Sequence, residues 1–111
     1  MHNPQVVSFD AIRTLAFGSI SATYVALGVP FAHAVRLVCL TNNTDGNLYF
    51  SIDGTTDMLF VAAGSFKLFD LNTNRAEQLQ YWVLPTRTQF YVRYITAPTT
   101  GSVYLEALWG E

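Results

Sequence analysis

The run Ala34-Val35-Arg36-Leu37-Val38-Cys39-Leu40-Thr41 is followed by Asn42-Asn43-Thr44-Asp45-Gly46 and then by Leu48-Tyr49-Phe50-Ser51-Ile52. It decides how the rest of the chain is read. Period-two alternation places Val35, Leu37 and Cys39 on one side of a strand and Arg36, Val38 and Leu40 on the other. Both sides are largely apolar, as in a central strand covered twice, by its own core and by a second sheet or a neighbouring subunit. Asn, Asp and Gly tolerate positive φ, so residues 42–46 read as a tight turn. In the return run Leu48, Phe50 and Ile52 oppose Tyr49 and Ser51. The two runs are expected to pair as a hairpin, ended by Asp53-Gly54.

Outward from that hairpin, short β-rich runs recur between turn residues. Before it lie Arg13 to Phe17, closed by Gly18-Ser19, and Ala22 to Leu27, closed by Gly28 ahead of Pro30. After it, Met58 to Ala62 and Phe66 to Leu71 are expected to pair around Ala63-Gly64-Ser65. Asn74-Arg75-Ala76-Glu77 has the spacing of a helix cap and opens at most one or two turns, through Tyr81. Trp82 to Leu84 stops at Pro85. Phe90 to Ile95 alternates, and Pro98-Thr99-Thr100-Gly101 turns the chain into Ser102 to Trp109. These are about eight short strands with no linker or repeat among them. The expected fold is all-β: a single antiparallel β-sandwich of jelly-roll type over residues 10–111, preceded by a flexible arm at 1–9. A small closed barrel is the alternative.

The composition narrows the function. Of 111 residues, 50% are apolar and only 13% are charged, against roughly 25% in ordinary soluble domains. A free monomer needs a charged skin to stay dispersed, so the shortfall points to a surface covered by partners. The net charge is -2. Arg13, Arg36, Lys67, Arg75, Arg87 and Arg93 are scattered singly, which leaves no basic footprint for nucleic acid. The start, Met1-His2-Asn3-Pro4-Gln5, lacks the pattern of a signal peptide. Tyr24 to Val35, the least polar long stretch, is interrupted by Pro30 and His33 and is too short to span a bilayer. Synthesis in a cytoplasm is the expectation, with no membrane partner.

No catalytic, cofactor or metal pattern stands out. Cys39 is the lone cysteine, and with His33 it forms the one conceivable thiol pair; a structural cysteine is the simpler reading. Asp45, Asp53 and Asp57 fall short of calcium-loop spacing and sit where Asp serves turn chemistry. Asn42-Asn43-Thr44 matches a glycosylation sequon that has no meaning without secretion. Tyr49, Tyr91, Tyr94, Tyr104 and Trp109 are the aromatics that a sugar platform would draw on.

Several short motifs carry a family resemblance. They are Leu40-Thr41-Asn42-Asn43-Thr44-Asp45 with Tyr49-Phe50-Ser51-Ile52-Asp53-Gly54, then Phe69-Asp70-Leu71-Asn72-Thr73-Asn74, then Gly101-Ser102-Val103-Tyr104-Leu105. Over residues 10 to 109 the chain resembles small β-sandwich proteins encoded among the virion genes of tailed bacteriophages. The resemblance implies a non-enzymatic structural protein of the virion at the head-to-tail neck, as a collar or connector, or decorating the capsid. The implied partners are further copies of itself and other virion proteins such as portal, capsid or tail. A carbohydrate-binding sandwich of a fibre or adhesin is the alternative from another class. The candidate interface residues are Arg36, Val38, Leu40, Tyr49, Tyr91, Arg93 and Tyr104.

Overall fold

The computed structural model describes residues 7–71 and 83–110. Nine strands are found there: β1 (Val7–Phe9), β2 (Arg13–Ala16), β3 (Val25–Ala26), β4 (Val35–Thr44), β5 (Leu48–Ser51), β6 (Leu59–Val61), β7 (Ser65–Asp70), β8 (Tyr91–Tyr94) and β9 (Gly101–Gly110). A single 3-10 turn at Phe17–Ser19 follows β2. All pairing is antiparallel. One sheet has the order β1-β9-β4-β7 with β2 also on β9, and the other has the order β3-β8-β5-β6. Strands β2 to β9 therefore form two four-stranded sheets whose connections cross between them everywhere except β5 to β6, which is the jelly-roll arrangement expected from the strand count.

β1 and β2 run along the same edge of β9. β1 pairs with residues 108–110 and β2 with residues 102–105. Asp10 bridges the break, its N–H donating to the Ala107 carbonyl at 2.9 Å. Residues 7–9, expected in a flexible arm, are thus a paired strand. The expected helical turn after Asn74 lies outside the described residues. Of the expected strand Trp82 to Leu84, Leu84 makes a single bridge to Val35.

Two expected hairpins are corrected. β4 pairs with β7 and β9, while β5 pairs with β6 and β8. The Asn42–Gly46 segment is a corner between sheets, and so is the Ala62–Gly64 segment between β6 and β7. The two corners lie against each other. The fully buried Asn42 amide donates to the Gly46 carbonyl at 2.8 Å and to the Val61 carbonyl at 2.9 Å. Its carbonyl oxygen accepts the Thr44 hydroxyl at 2.6 Å. Gly64 N–H donates to the Asn42 backbone carbonyl, and Ala63 N–H to the Asn47 side chain. Gly101 closes the same end of the sheet with φ at 93°; a Cβ there would lie 1.9 Å from the Asn43 carbonyl oxygen, so only glycine fits.

The core lies between the sheets. Leu27, Val35, Leu40, Leu48, Phe50, Val61, Val92 and Val103 are fully enclosed, with Val38, Leu105 and Ala107 nearly so. Each large side chain there contributes about 1.5–3 kcal/mol of transfer free energy. Val35 and Val38 both point inward because the β4–β9 register slips between Val35 and Leu37, which leaves Arg36 as the extra residue of a bulge. The simple alternation of the sequence cannot register that insertion.

Candidate functional site

The seven candidate interface residues do not share a surface. Val38 and Leu40, 1% and 0% exposed, belong to the core: the second sheet, not a neighbouring subunit, covers that side of β4. Arg36 sits half-buried in the bulge, where its carbonyl accepts the Leu71 N–H. Tyr104 lies on the outer face of the β9-β4 sheet, opposite Thr41. Tyr49, Tyr91 and Arg93 do come together, on the outer face of the β8-β5 sheet, because Tyr49 is in register with Arg93 and Ser51 with Tyr91.

That second-sheet face is a closed polar cluster. Asp57, in the loop between β5 and β6, accepts two bonds from Arg93, from Nε at 3.0 Å and from Nη2 at 2.7 Å. It also accepts the Tyr24 hydroxyl at 2.5 Å. The Arg93 guanidinium lies over the Tyr49 ring at 4.8 Å and over the Tyr24 ring at 5.6 Å. Phe60 meets Tyr49 edge-on. The bonds from Arg93 and then Tyr24 hold the Asp57 carboxyl below its ordinary range. Burial, followed by the bond to Asp57 and its charge, pushes the Tyr24 phenol up to about 12. Ring faces under a guanidinium are already stacked, so this cluster is built more as a brace than as a sugar platform.

The first-sheet face is different in kind. Leu37, Cys39 and Leu108 are half-buried on it. They floor a shallow groove of about 390 Å³ that is walled by Phe9 and Ile12 and touched by Glu106. Phe9 is 80% exposed, Ile12 56%, Phe66 64% and Leu68 55%. Phe9 and Ile12 flank the break between β1 and β2. Arg13, which opens β2, donates to the Val29 and Ala11 carbonyls at 2.8 Å and pairs with Asp10 at 3.3 Å. Sequence patterning marks none of these apolar residues as interface. It sets Leu37 and Cys39 on the side of β4 opposite the candidate interface residues Val38 and Leu40, and it leaves Phe9 in the arm.

The remaining candidates have local work. Asp53 accepts the N–H groups of Thr55 and Thr56 and the Ser51 hydroxyl, which is the turn chemistry expected of it. Asp45 accepts the Thr99 N–H and hydroxyl, tying two loops together. His33 stacks on Trp109 at 3.6 Å, while the Cys39 sulfur lies 3.8 Å from the Thr41 hydroxyl. Among the described residues no group of three or more His, Cys, Asp or Glu is placed to hold a metal ion, and no helix is long and apolar enough to cross a membrane.

No family model and no curated protein matches the chain. Among solved structures it is similar to the SPP1 Dit (gp 19.1) protein, described as a paradigm of the hub adsorption apparatus in Gram-positive-infecting phages. The identity is 12% and the TM-score 0.36, over 96% of this chain and 47% of that one. The chain spans about half the length of that protein. A likeness at this TM-score carries no argument about function.

Proposed function

We propose that this chain is a non-enzymatic structural protein of a tailed-phage virion that self-associates and bridges larger components, at the head-to-tail neck as a collar or connector. The carrying observation is the apolar outer face of the β1-β2-β9-β4-β7 sheet, with Phe9, Ile12, Phe66 and Leu68 more than half exposed. Contiguous apolar area of that kind marks an interaction surface in a stable protein. The sequence resemblance to phage virion sandwiches supports the setting, and so does the jelly-roll order, a scaffold used repeatedly for viral shell proteins. Fold alone does not carry the assignment. Capsid decoration uses the same physics with a different symmetry.

The test is the solution mass, by light scattering after gel filtration over a range of concentrations. A defined oligomer is expected, and a dodecamer or another ring would favour the neck over a trimeric decoration. A strict monomer at every concentration would remove self-association from the proposal. The carbohydrate-binding reading draws on the Tyr24, Tyr49 and Tyr91 surface, and its discriminator is a glycan-array signal that disappears in Tyr49→Ala.

A further inference from the structure

We infer that the outer face of the β1-β2-β9-β4-β7 sheet is covered by a second copy of this chain, packed face to face about a two-fold axis running parallel to the strands. The inference rests on the self-association reading and specifies its surface. Cross-strand register orders the face into rows. Phe9, Leu108, Leu37 and Asp70 form one, Glu106, Cys39 and Leu68 the next, and Tyr104, Thr41 and Phe66 the third. The concave feature, the groove walled by Phe9 and Ile12, lies at the β1-β2 margin. The exposed apolar side chains Phe66 and Leu68 of β7 lie at the opposite margin. A two-fold parallel to the strands exchanges the margins and keeps each row at its own level. It sets Leu68 of each copy over the groove of the other and seats both at once, the self-complementarity that a closed dimer requires.

The area is sufficient. At roughly 200 Å² for a large apolar residue, the exposed fractions of Phe9, Ile12, Phe66 and Leu68 leave roughly 500 Å² in water. Half-buried Leu37, Leu108, Cys39 and Tyr104 add to it, approaching the ~800 Å² per partner of a standard interface. Stacking of faces is favoured over pairing of edges. Among the described residues β7 forms one edge of this sheet and the broken β1-β2 margin the other; the inward-directed, exposed Lys67 of β7 is the kind of residue that blocks strand addition. The outer face of the other sheet is occupied by the Arg93–Asp57–Tyr24 cluster, whose polar atoms are already paired. Glu106 is the one carboxylate on the central strands of the apolar face. The two-fold brings both copies of it near the axis, so it opposes the association it sits in.

The experiment measures mass against concentration for the wild-type chain, Leu68→Asp, Phe9→Asp and Glu106→Gln, with circular dichroism to confirm folding. It also measures the rate at which maleimide labels Cys39. The wild-type chain is expected to dimerise. Leu68→Asp and Phe9→Asp, at opposite margins of one face, should each abolish the dimer on their own. Glu106→Gln is expected to shift association to at least several-fold lower concentration, a gain that damage to the fold would not produce. Cys39 labelling should slow as wild-type concentration rises and stay fast in Leu68→Asp. An oligomer that persists in both folded Asp variants would overturn the surface while leaving self-association intact. A wild-type chain that is monomeric throughout would overturn both.

Discussion

Asn42 shows how one side chain can set a fold's connectivity. Both of its amide hydrogens and its carbonyl oxygen are used inside the protein, across two corners and onto β6. Removing the amide strands the Gly46 and Val61 carbonyls in a buried site, where an unpaired polar group costs about 1–3 kcal/mol. Asn42→Leu should therefore lower the unfolding free energy by about 2–4 kcal/mol, read as a reduced denaturant midpoint. A midpoint within error of wild type would mean that the corner holds without it. In the sequence Asn42 is legible only as a turn residue, because its tolerance of positive φ is a local property. Its burial follows from carrying the inward positions Val38 and Leu40 two residues further, into what reads as the turn. Arg13 gives no such signal. As one of six scattered cations it reads as surface, yet it is 8% exposed and bonded to backbone carbonyls that follow it by up to 17 residues.

At the scale of elements, turn residues mark the number and position of the strands well, and the jelly-roll class follows from them. Pairing is not marked, because a turn-forming segment serves a hairpin and a sheet-to-sheet corner equally well. The loop from Ile52 to Met58, which does close a hairpin between β5 and β6, carries an Asp53-Gly54 signal no stronger than the one at Asp45-Gly46. The sidedness of β4 is hidden by a single inserted residue: the bulge at Arg36 sets Val35 on the same side as Val38 and Leu40. Its consequence is testable. Val38→Asp places a carboxylate among fully enclosed side chains and should unfold the protein, by more than about 4 kcal/mol. Leu37→Asp, one position away on the outer face, should keep the native circular dichroism and weaken association instead. The reverse pattern would restore the opposite sidedness. The residues of the apolar face are individually visible in the sequence, but their union is not. It depends on β1 reaching Leu108 across the chain and on β7 lying beside β4 rather than beside β6.

Over the whole molecule, at least six of the fourteen charged side chains are tied to local partners. Of six basic and eight acidic side chains, Asp10 pairs with Arg13 and Asp57 with Arg93, while Asp45 and Asp53 are held in loops by hydrogen bonds. The two ion pairs offset four of these charges, which adds to the shortfall of charge read from the composition. The same groups fix the pH range of stability. Asp45, Asp53 and Asp57 are all held below the ordinary carboxylate value, each first by a hydrogen bond to its ionised form, from Thr99, Thr56 and Arg93 respectively. A carboxyl depressed in the folded state binds its proton more readily when unfolded. Its contribution is therefore complete above the ordinary value near pH 4 and is lost as pH falls below it. Tyr24 behaves in the opposite sense. Its phenol, raised from 10.0 to about 12, favours the folded state most fully below its ordinary value, and that preference disappears as pH climbs toward 12. The denaturation midpoint should thus be flat from about pH 5 to 9 and fall at both ends. Asp57→Asn joins the two limbs, because one carboxylate depends on Arg93 and raises Tyr24. The variant should show a shallower acid limb, and its Tyr24 should ionise earlier than in wild type but still later than a free phenol, since burial is the larger cause of its shift. An acid limb and a tyrosinate absorbance titration both indistinguishable from wild type would show that the Asp57–Arg93–Tyr24 brace does not act as a unit in solution.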